Sequence, residues 1–343
     1  DWLGGALVTA KVIEGQPVNN IVWSAQAQLL HIRKDLFKKY NVKVPTTLEE
    51  LEVAAKKLTI DENNDGKPEI YGFLERGNGR EITACFATYL FNHGGSWFKR
   101  DENGKKVSNI NSKESVDAFM FYGRMFQNYV PRAALGNSPA ANAALFAAGK
   151  TAMLSELNYW IALSDDPKRS RVAGKTTTIL VPRGPAGNFP NLPTTSLAIS
   201  KHSKKKEIAY MYLMWMTQKR IMQLGQNAGV PMARRSVWDD PSYTPPTPAW
   251  GTSAKLAAEY GIAIAKPQAV AIGQMRDAAA SVALVAMKGG TREEVQAEAD
   301  KQAKVMTELV EKTEKGIPFR GATPSDYKKM PESEQMVPIK AEG

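Results

Sequence analysis

The stretch Leu145-Phe146-Ala147-Ala148-Gly149-Lys150-Thr151-Ala152-Met153-Leu154-Ser155-Glu156-Leu157-Asn158-Tyr159-Trp160 decides the fold. It reads as the close of an Ala-rich helix, a tight turn at Gly149, a short apolar strand over 150–154, and then an exposed cluster of polar and aromatic residues. Gly149 suits the left-handed residue that ends many helices. In an open α/β sheet, ligands gather just beyond the carboxyl ends of strands. Glu156, Asn158, Tyr159 and Trp160 follow directly. A flat ring can stack on the C–H face of a polyhydroxylated ligand while a carboxylate and an amide take its hydroxyls. The alternative is an amphipathic segment that buries Tyr159 and Trp160 in a core, the commoner place for aromatics.

Moving outward, a turn is expected at Glu14-Gly15-Gln16-Pro17, and Ile21-Val22-Trp23 is a short apolar run. A strand follows over 28–32. Thr46 with Glu49 reads as a capping box that starts a helix. Leu48, Leu51, Ala55 and Leu58 give that helix one apolar face. A strand over 69–74 places Arg76 just past its end, where it is either a cleft residue or one half of a surface ion pair with Glu75. An apolar helix over 81–92 is ended by Gly94-Gly95. Asp101 to Gly104 makes a hairpin-like turn. Asn111 with Glu114 resembles another capping box, before a helix with Val116, Phe119, Met120, Gly123 and Phe126 buried. Further strands are expected over 177–181 and 195–200. A helix over 204–217 is expected to turn Ile208, Met211, Tyr212 and Trp215 inward. Helical blocks over 252–265 and 274–289 follow, then a helix capped by Thr291 and Glu294. From Pro318 the chain reads as a loose tail.

The chain has 343 residues, 43% hydrophobic and 23% charged, ordinary for a soluble globular protein of two domains. Its net charge of +10 is scattered apart from Lys204-Lys205-Lys206 and a few pairs. With no nucleic-acid motif beside it, this points to a solvated surface, with some bias toward anionic ligands. Cys85 is the only cysteine, so an intrachain disulfide is excluded. No apolar run reaches the length of a membrane span. Asp1-Trp2-Leu3-Gly4-Gly5 lacks the basic start of a signal peptide, which leaves a cytosolic, processed or truncated chain open.

Catalytic patterns fail one by one. Gly149-Lys150-Thr151 and Gly174-Lys175-Thr176 lack the leading glycine of a phosphate loop, and both lead into strands. Phe98 stands where a nucleophile elbow after Ser96 needs glycine. His31, His93 and His202 lack metal spacing. Glu156 has no second carboxylate that spacing can name, as a glycosidase requires. The run Asp61, Asn63, Asp65, Gly66 matches the first half of a calcium loop, with the Lys67 carbonyl and Glu69 as further donors. A full EF-hand needs glutamate where Gly72 stands, so a solvated Asn/Asp/Gly turn is the alternative.

Four stretches together resemble the family 1 extracellular solute-binding proteins of bacterial carbohydrate ABC importers, over about residues 15–315. They are Leu29 to Phe37 with Val44 to Leu51 and Ala55 to Leu58; Asp61 to Phe73; Phe146 to Met153; and Leu197 to Ser200 with Ser203 to Ala209 and Gly229 to Arg235. The resemblance implies an α/β, two-lobe periplasmic-binding-protein-like (type II) fold. It also implies that most of a first lobe, on the order of a hundred residues, precedes Pro17, so the N-terminal lobe is expected to be largely missing here. Residues 1–24 and 194–240 would be its remnant, 25–193 and 241–317 the second lobe, and 318–343 the tail. The cleft would gather Trp23, Ser24, Arg76, Glu156, Asn158, Tyr159, Trp160 and Arg234. The implied function is delivery of a sugar, oligosaccharide or polyol to ABC permease transmembrane subunits. A carbohydrate-active enzyme using Glu156, and a binder of an anionic solute such as a sugar acid or phosphorylated polyol, are the alternatives. Expected with it are a periplasmic or other extracytoplasmic location, a signal peptide upstream of Asp1, and a monomer. No catalytic residue, no nucleic acid and no cofactor beyond a structural calcium are expected.

Overall fold

A computed structural model describes residues 1–4, 6, 20–245, 248–262, 266–267, 269–315 and 330. The turn expected at Glu14 to Pro17, and all of the expected tail except Met330, lie outside these residues. In chain order the first half holds β1 (Ile21–Ala25), β2 (Gln28–Arg33), α1 (Lys34–Lys39), α2 (Leu48–Lys57), α3 (Thr83–Asn92), β3 (Phe98–Arg100), β4 (Lys106–Ser108) and α4 (Lys113–Tyr129). Then come α5 (Pro139–Ala147), β5 (Met153–Leu157), α6 (Ile161–Asp165), β6 (Thr176–Leu180), β7 (Thr194–Leu197), α7 (Lys206–Met216) and α8 (Lys219–Asn227). The last helices are α9 (Arg235–Trp238), α10 (Pro248–Tyr260), α11 (Ile272–Met287) and α12 (Arg292–Thr313).

β2 lies at the centre of a three-stranded sheet, antiparallel to β5 and to β6, with Leu29 opposite both Glu156 and Leu180. All six residues of β2 are buried, as befits a strand covered on both faces. The segment expected as a strand over 69–74 runs beside β5 without a regular ladder. Ala152 N donates to Tyr71 O at 2.8 Å and Ser155 N to Leu74 O at 3.0 Å. Residues 75–76 therefore emerge next to the end of β5. A separate ribbon pairs β1 with β7, Ala25 opposite Thr194. Two chain crossings join ribbon to sheet, and they are bonded to each other: Gln26 N donates to Pro193 O at 2.8 Å and Gln28 N to Asn191 O at 2.9 Å.

The main core lies among α2, α3, α4, α11 and α12. Phe86 stacks on Phe119 at 4.3 Å. Gly123 of α4 packs so close to α11 that a Cβ there would lie 2.5 Å from the Ala286 carbonyl oxygen. A second cluster gathers Val22, Ala25, Leu29, Leu180, Leu192, Trp238 and Trp250 where ribbon meets sheet, and Met330 is buried in it rather than loose. No helix among the described residues is long and apolar enough to cross a membrane.

Helix punctuation follows the sequence with small shifts. Gly149 has φ +77° after α5, as expected. Thr291 and Glu294 form their capping box. At α2 the cap is Thr47, whose hydroxyl takes Glu50 N, while the Glu50 carboxylate reaches back to Thr46 N and Oγ1; the Thr46–Glu49 box is not formed. At α4 Ser112 caps Ser115 N in place of the Asn111–Glu114 box. One expectation fails outright. In α7 only Leu213 is buried, and Ile208, Met211, Tyr212 and Trp215 are 50–69% exposed. Helical periodicity fixes which residues share a face, but burial needs something packed on that face.

Candidate functional site

β5 spans 153–157 rather than 150–154, so Glu156 lies within the strand and is fully buried instead of following it exposed. The reason is a partner 80 residues away. Arg76, 4% exposed, sends Nε and Nη2 onto the Glu156 carboxylate at 2.9 and 2.6 Å. This bidentate geometry is the strongest form of such a pair. Leu157 N donates to the same carboxylate at 2.8 Å. Arg76 Nη1 reaches Glu81 at 3.1 Å, and Glu81 in turn meets Arg276 at 3.2 Å. Two arginines and two glutamates thus alternate in one chain, and the half-buried Lys266 amine lies close enough to feel the charges of Arg276, Glu81 and Arg76. Arg76 pairs with Glu156 in the interior, not with Glu75 at the surface.

One position back on each strand a second rung forms. Ser155 Oγ lies 3.2 Å from Glu75 Oε1, and Tyr89 Oη lies 2.5 Å from Glu75 Oε2. Gln28 Nε2 donates to Glu75 Oε1 at 3.0 Å and to Ser155 Oγ at 2.8 Å. Burial, then the Glu156 charge, pushes the Glu75 carboxyl up to about 8 against the Tyr89 and Ser155 hydrogen bonds and the Arg76 charge. Glu75 is therefore a neutral acid at pH 7. Cys85, 3.9 Å from Glu156, is held well above the usual thiol range by burial and that same charge.

Beyond the ion pair, Asn158 N donates to Ala27 O at 2.8 Å, and Trp250 Nε1 donates to Asn158 O at 3.2 Å. The Asn158 side chain is buried, and neither its nitrogen nor its oxygen has a hydrogen-bond partner. Such an amide is costly unless something pairs with it. Tyr159 and Trp160 are half-buried, with ring centroids 4.8 Å apart at 39°. The structure thus brings together Arg76, Glu156, Asn158, Tyr159 and Trp160.

The remaining candidates make contacts of their own. Ser24 is fully buried inside the ribbon. Trp23 packs on Met222, Met232 and Val237. Ala233 N donates to Trp23 O, and Arg234 binds Asp1 at 2.7 Å, the Thr217 carbonyl at 2.6 Å and the face of Trp2. In the Asp61 to Glu69 turn the side chains bond their own backbone. Asp61 accepts from Gly66 N at 2.8 Å, Asn63 from Asp65 N at 2.9 Å, Asp65 from Lys67 N at 2.8 Å and Glu69 from Glu62 N at 2.8 Å. Among the described residues no three His, Cys, Asp or Glu side chains are grouped to hold a metal. The sequence reading missed Gln28, Glu81, Ser155 and Trp250. Gln28 alone left a signal, as a polar residue directly before the apolar pair Leu29-Leu30 of its strand.

Residues 5–223, more than half of the chain, match the family model described as bacterial extracellular solute-binding protein. A Deinococcus radiodurans protein described as a probable ABC transporter-binding protein is 27% identical over 214 residues, 60% of this chain and 50% of that protein. The chain thus spans about half the length of that curated relative. The maltose-bound MalE3 of T. maritima has a similar structure, with TM-score 0.74, 25% identity, and coverage of 89% of this chain and 76% of that one. An ABC transporter solute-binding protein of Agrobacterium radiobacter K84, solved with ribitol, gives TM-score 0.70, 26% identity, and coverage of 90% and 73%. One of Agrobacterium vitis S4, solved with D-mannitol, shares the fold at TM-score 0.68 and 23% identity, with 93% and 82% covered.

Proposed function

The chain belongs to the bacterial extracellular solute-binding proteins and has their α/β periplasmic-binding-protein-like fold, and from that premise we propose that it binds a neutral sugar or polyol for an ABC import permease. The observation that carries the reading is the charge balance at Arg76. Its guanidinium is neutralised by Glu156 and Glu81, so it offers no unpaired charge to a carboxylate or phosphate. Beside it stand an aromatic pair and an amide with no partner, which suit hydroxyls and C–H faces. Arg234 is likewise engaged with Asp1, which removes the second support for an anionic solute. The relatives solved with ribitol, maltose and D-mannitol agree with a neutral, hydroxyl-rich ligand.

Binding without chemistry is part of the proposal. A general acid must be protonated and must reach the substrate. Glu156 is clamped in an ion pair, and Glu75, which holds a proton, is enclosed by Gln28, Tyr89 and Ser155. Docking on permease subunits belongs to the same proposal, and the family description as extracellular agrees with a place outside the cytoplasmic membrane.

The test is calorimetry of the chain with ribitol, D-mannitol and maltose. Binding should change little over a roughly tenfold rise in salt, since the Arg76 guanidinium is already paired with Glu156 and Glu81. Trp160→Ala should weaken it by about 2 kcal/mol or more if the ring is a hot spot. A steep salt dependence, or undisturbed binding by the Trp160→Ala protein, overturns the stacking model. Sugar turnover that vanishes in Glu156→Gln overturns the binding reading.

A further inference from the structure

Gln28 sits where the chain leaves the ribbon for the sheet, and its side-chain amide is fully used. Nε2 donates to Glu75 and to Ser155, the residues immediately before Arg76 and Glu156. Oε1 accepts from Thr88 Oγ1 at 2.9 Å and from Asn191 Nδ2 at 3.1 Å. Asn191 belongs to the second crossing, and its backbone carbonyl accepts Gln28 N. Its own N–H donates to Thr88 Oγ1 at 3.1 Å, and its side chain also donates to Ala84 O. One buried amide therefore touches both chain crossings and the backing of the site's ion pair. A leucine or methionine would fill that space, yet the chain places there four hydrogen bonds that must all be made at once. A fully satisfied buried network is rigid and specific, and a partly broken one is costly.

We propose that Gln28 is a positioning residue that couples the solute site to the two chain crossings, so that a change at Arg76 and Glu156 is felt at Asn191. The coupling is mechanical. Arg76–Glu156 and Glu75–Ser155 are adjacent rungs between the same two segments. A shift of one rung moves the other, and Gln28 carries that displacement to the Asn191 backbone. The location of the solute site rests on the function proposed above, whereas the coupling is read in the chain without solute.

Amide hydrogen exchange by mass spectrometry tests it, on peptides covering residues 24–28 and 188–195. Glu156→Gln, a change at the site, should speed exchange at 188–195 about tenfold. In a Gln28→Met background the same change should add less than about twofold, because the link is already cut. Thr88→Val removes one of the Gln28 bonds together with the acceptor of Asn191 N, so it is read as the difference made by Glu156→Gln within that background, and it serves if Gln28→Met does not fold. With it the effect of Glu156→Gln should fall to about threefold. Equal acceleration in all backgrounds, or none at 188–195 in the parent chain, overturns the proposal. Coupling seen in the solute-free chain upholds Gln28 even when neither ribitol nor maltose binds. Binding of either probe with no response at 188–195 overturns it.

Discussion

Glu75→Gln isolates the proton that the interior holds. The Glu75 carboxyl is raised from 4.5 to about 8, first by burial and then by the Glu156 charge. For an acid whose folded pKa is raised, the stabilisation is complete below the unfolded value and is lost as pH rises to the folded one. Glu75 therefore costs stability from about pH 4.5 to about pH 8. His31 works in the opposite sense. Burial lowers it from 6.5 to about 3, against a backbone hydrogen bond at Glu156, so its contribution is complete above pH 6.5 and is lost as pH falls toward 3. Each slope is about 1.4 kcal/mol per pH unit, so the two cancel between pH 4.5 and pH 6.5. From pH 6.5 to pH 8 only Glu75 of this pair titrates, a loss of about 2 kcal/mol at that slope. Glutamine keeps the shape, accepts from Gln28 and Ser155, and donates to Tyr89 without a titrating proton. Urea unfolding followed by tryptophan fluorescence should therefore show the parent chain falling about 2 kcal/mol relative to Glu75→Gln over this interval. Groups common to both proteins cancel in the difference. Parallel curves for the two proteins would show that Glu75 carries no proton, and the neutral rung would be wrong.

Three further outcomes follow from named contacts. Arg76→Ala leaves Glu156 buried with only Leu157 N and the weak Cys85 thiol donor, and chemical denaturation should register a loss of about 3–5 kcal/mol, part of it regained by Arg76→Met with Glu156→Leu. On α7, Met211→Ala should change stability by no more than about 0.5 kcal/mol, and Leu213→Ala by about 2 kcal/mol or more; equal effects would mean that the exposed face is covered in solution. At the turn from Asp61 to Glu69 a calcium ion held by Asp61, Asn63, Asp65, the Lys67 carbonyl and Glu69 is proposed; chelator should then lower Tm and calcium restore it, and an unmoved Tm makes this an ordinary turn whose oxygens serve their own backbone.

What the sequence made legible was local. Gly149, Thr291 with Glu294, and the stripes of α2 and α4 rest on contacts within a few residues, and those elements form where expected. The slip from Thr46 to Thr47 is also local, because two adjacent threonines offer the same hydroxyl and only the backbone decides between them. Errors grow with the distance of the deciding partner. The face of α7 has the right period, yet its burial depends on what other segments bring to it. The largest error is β5. The sequence places Glu156 exposed just beyond a strand over 150–154, in line with the rule that an unpaired charge does not stay inside. That rule holds only while no partner is known. Gln28, Glu75 and Arg76 lie far away in sequence, and once the sheet brings them alongside, the same polar residues become interior.

The ion pair then decides what this end of the sheet can offer a solute. With Arg76 in place, and burial favouring the protonated form of Glu75 beside it, this end of the sheet holds the Glu156 charge in a fixed pair. A neutral solute gains from fixed, oriented donors and from the Tyr159 and Trp160 rings. An anion would have to draw Arg76 away from a bidentate partner and leave Glu156 uncompensated. Truncating one side of such a pair typically costs about 3–5 kcal/mol, and at the proposed site that cost would weigh against an anion.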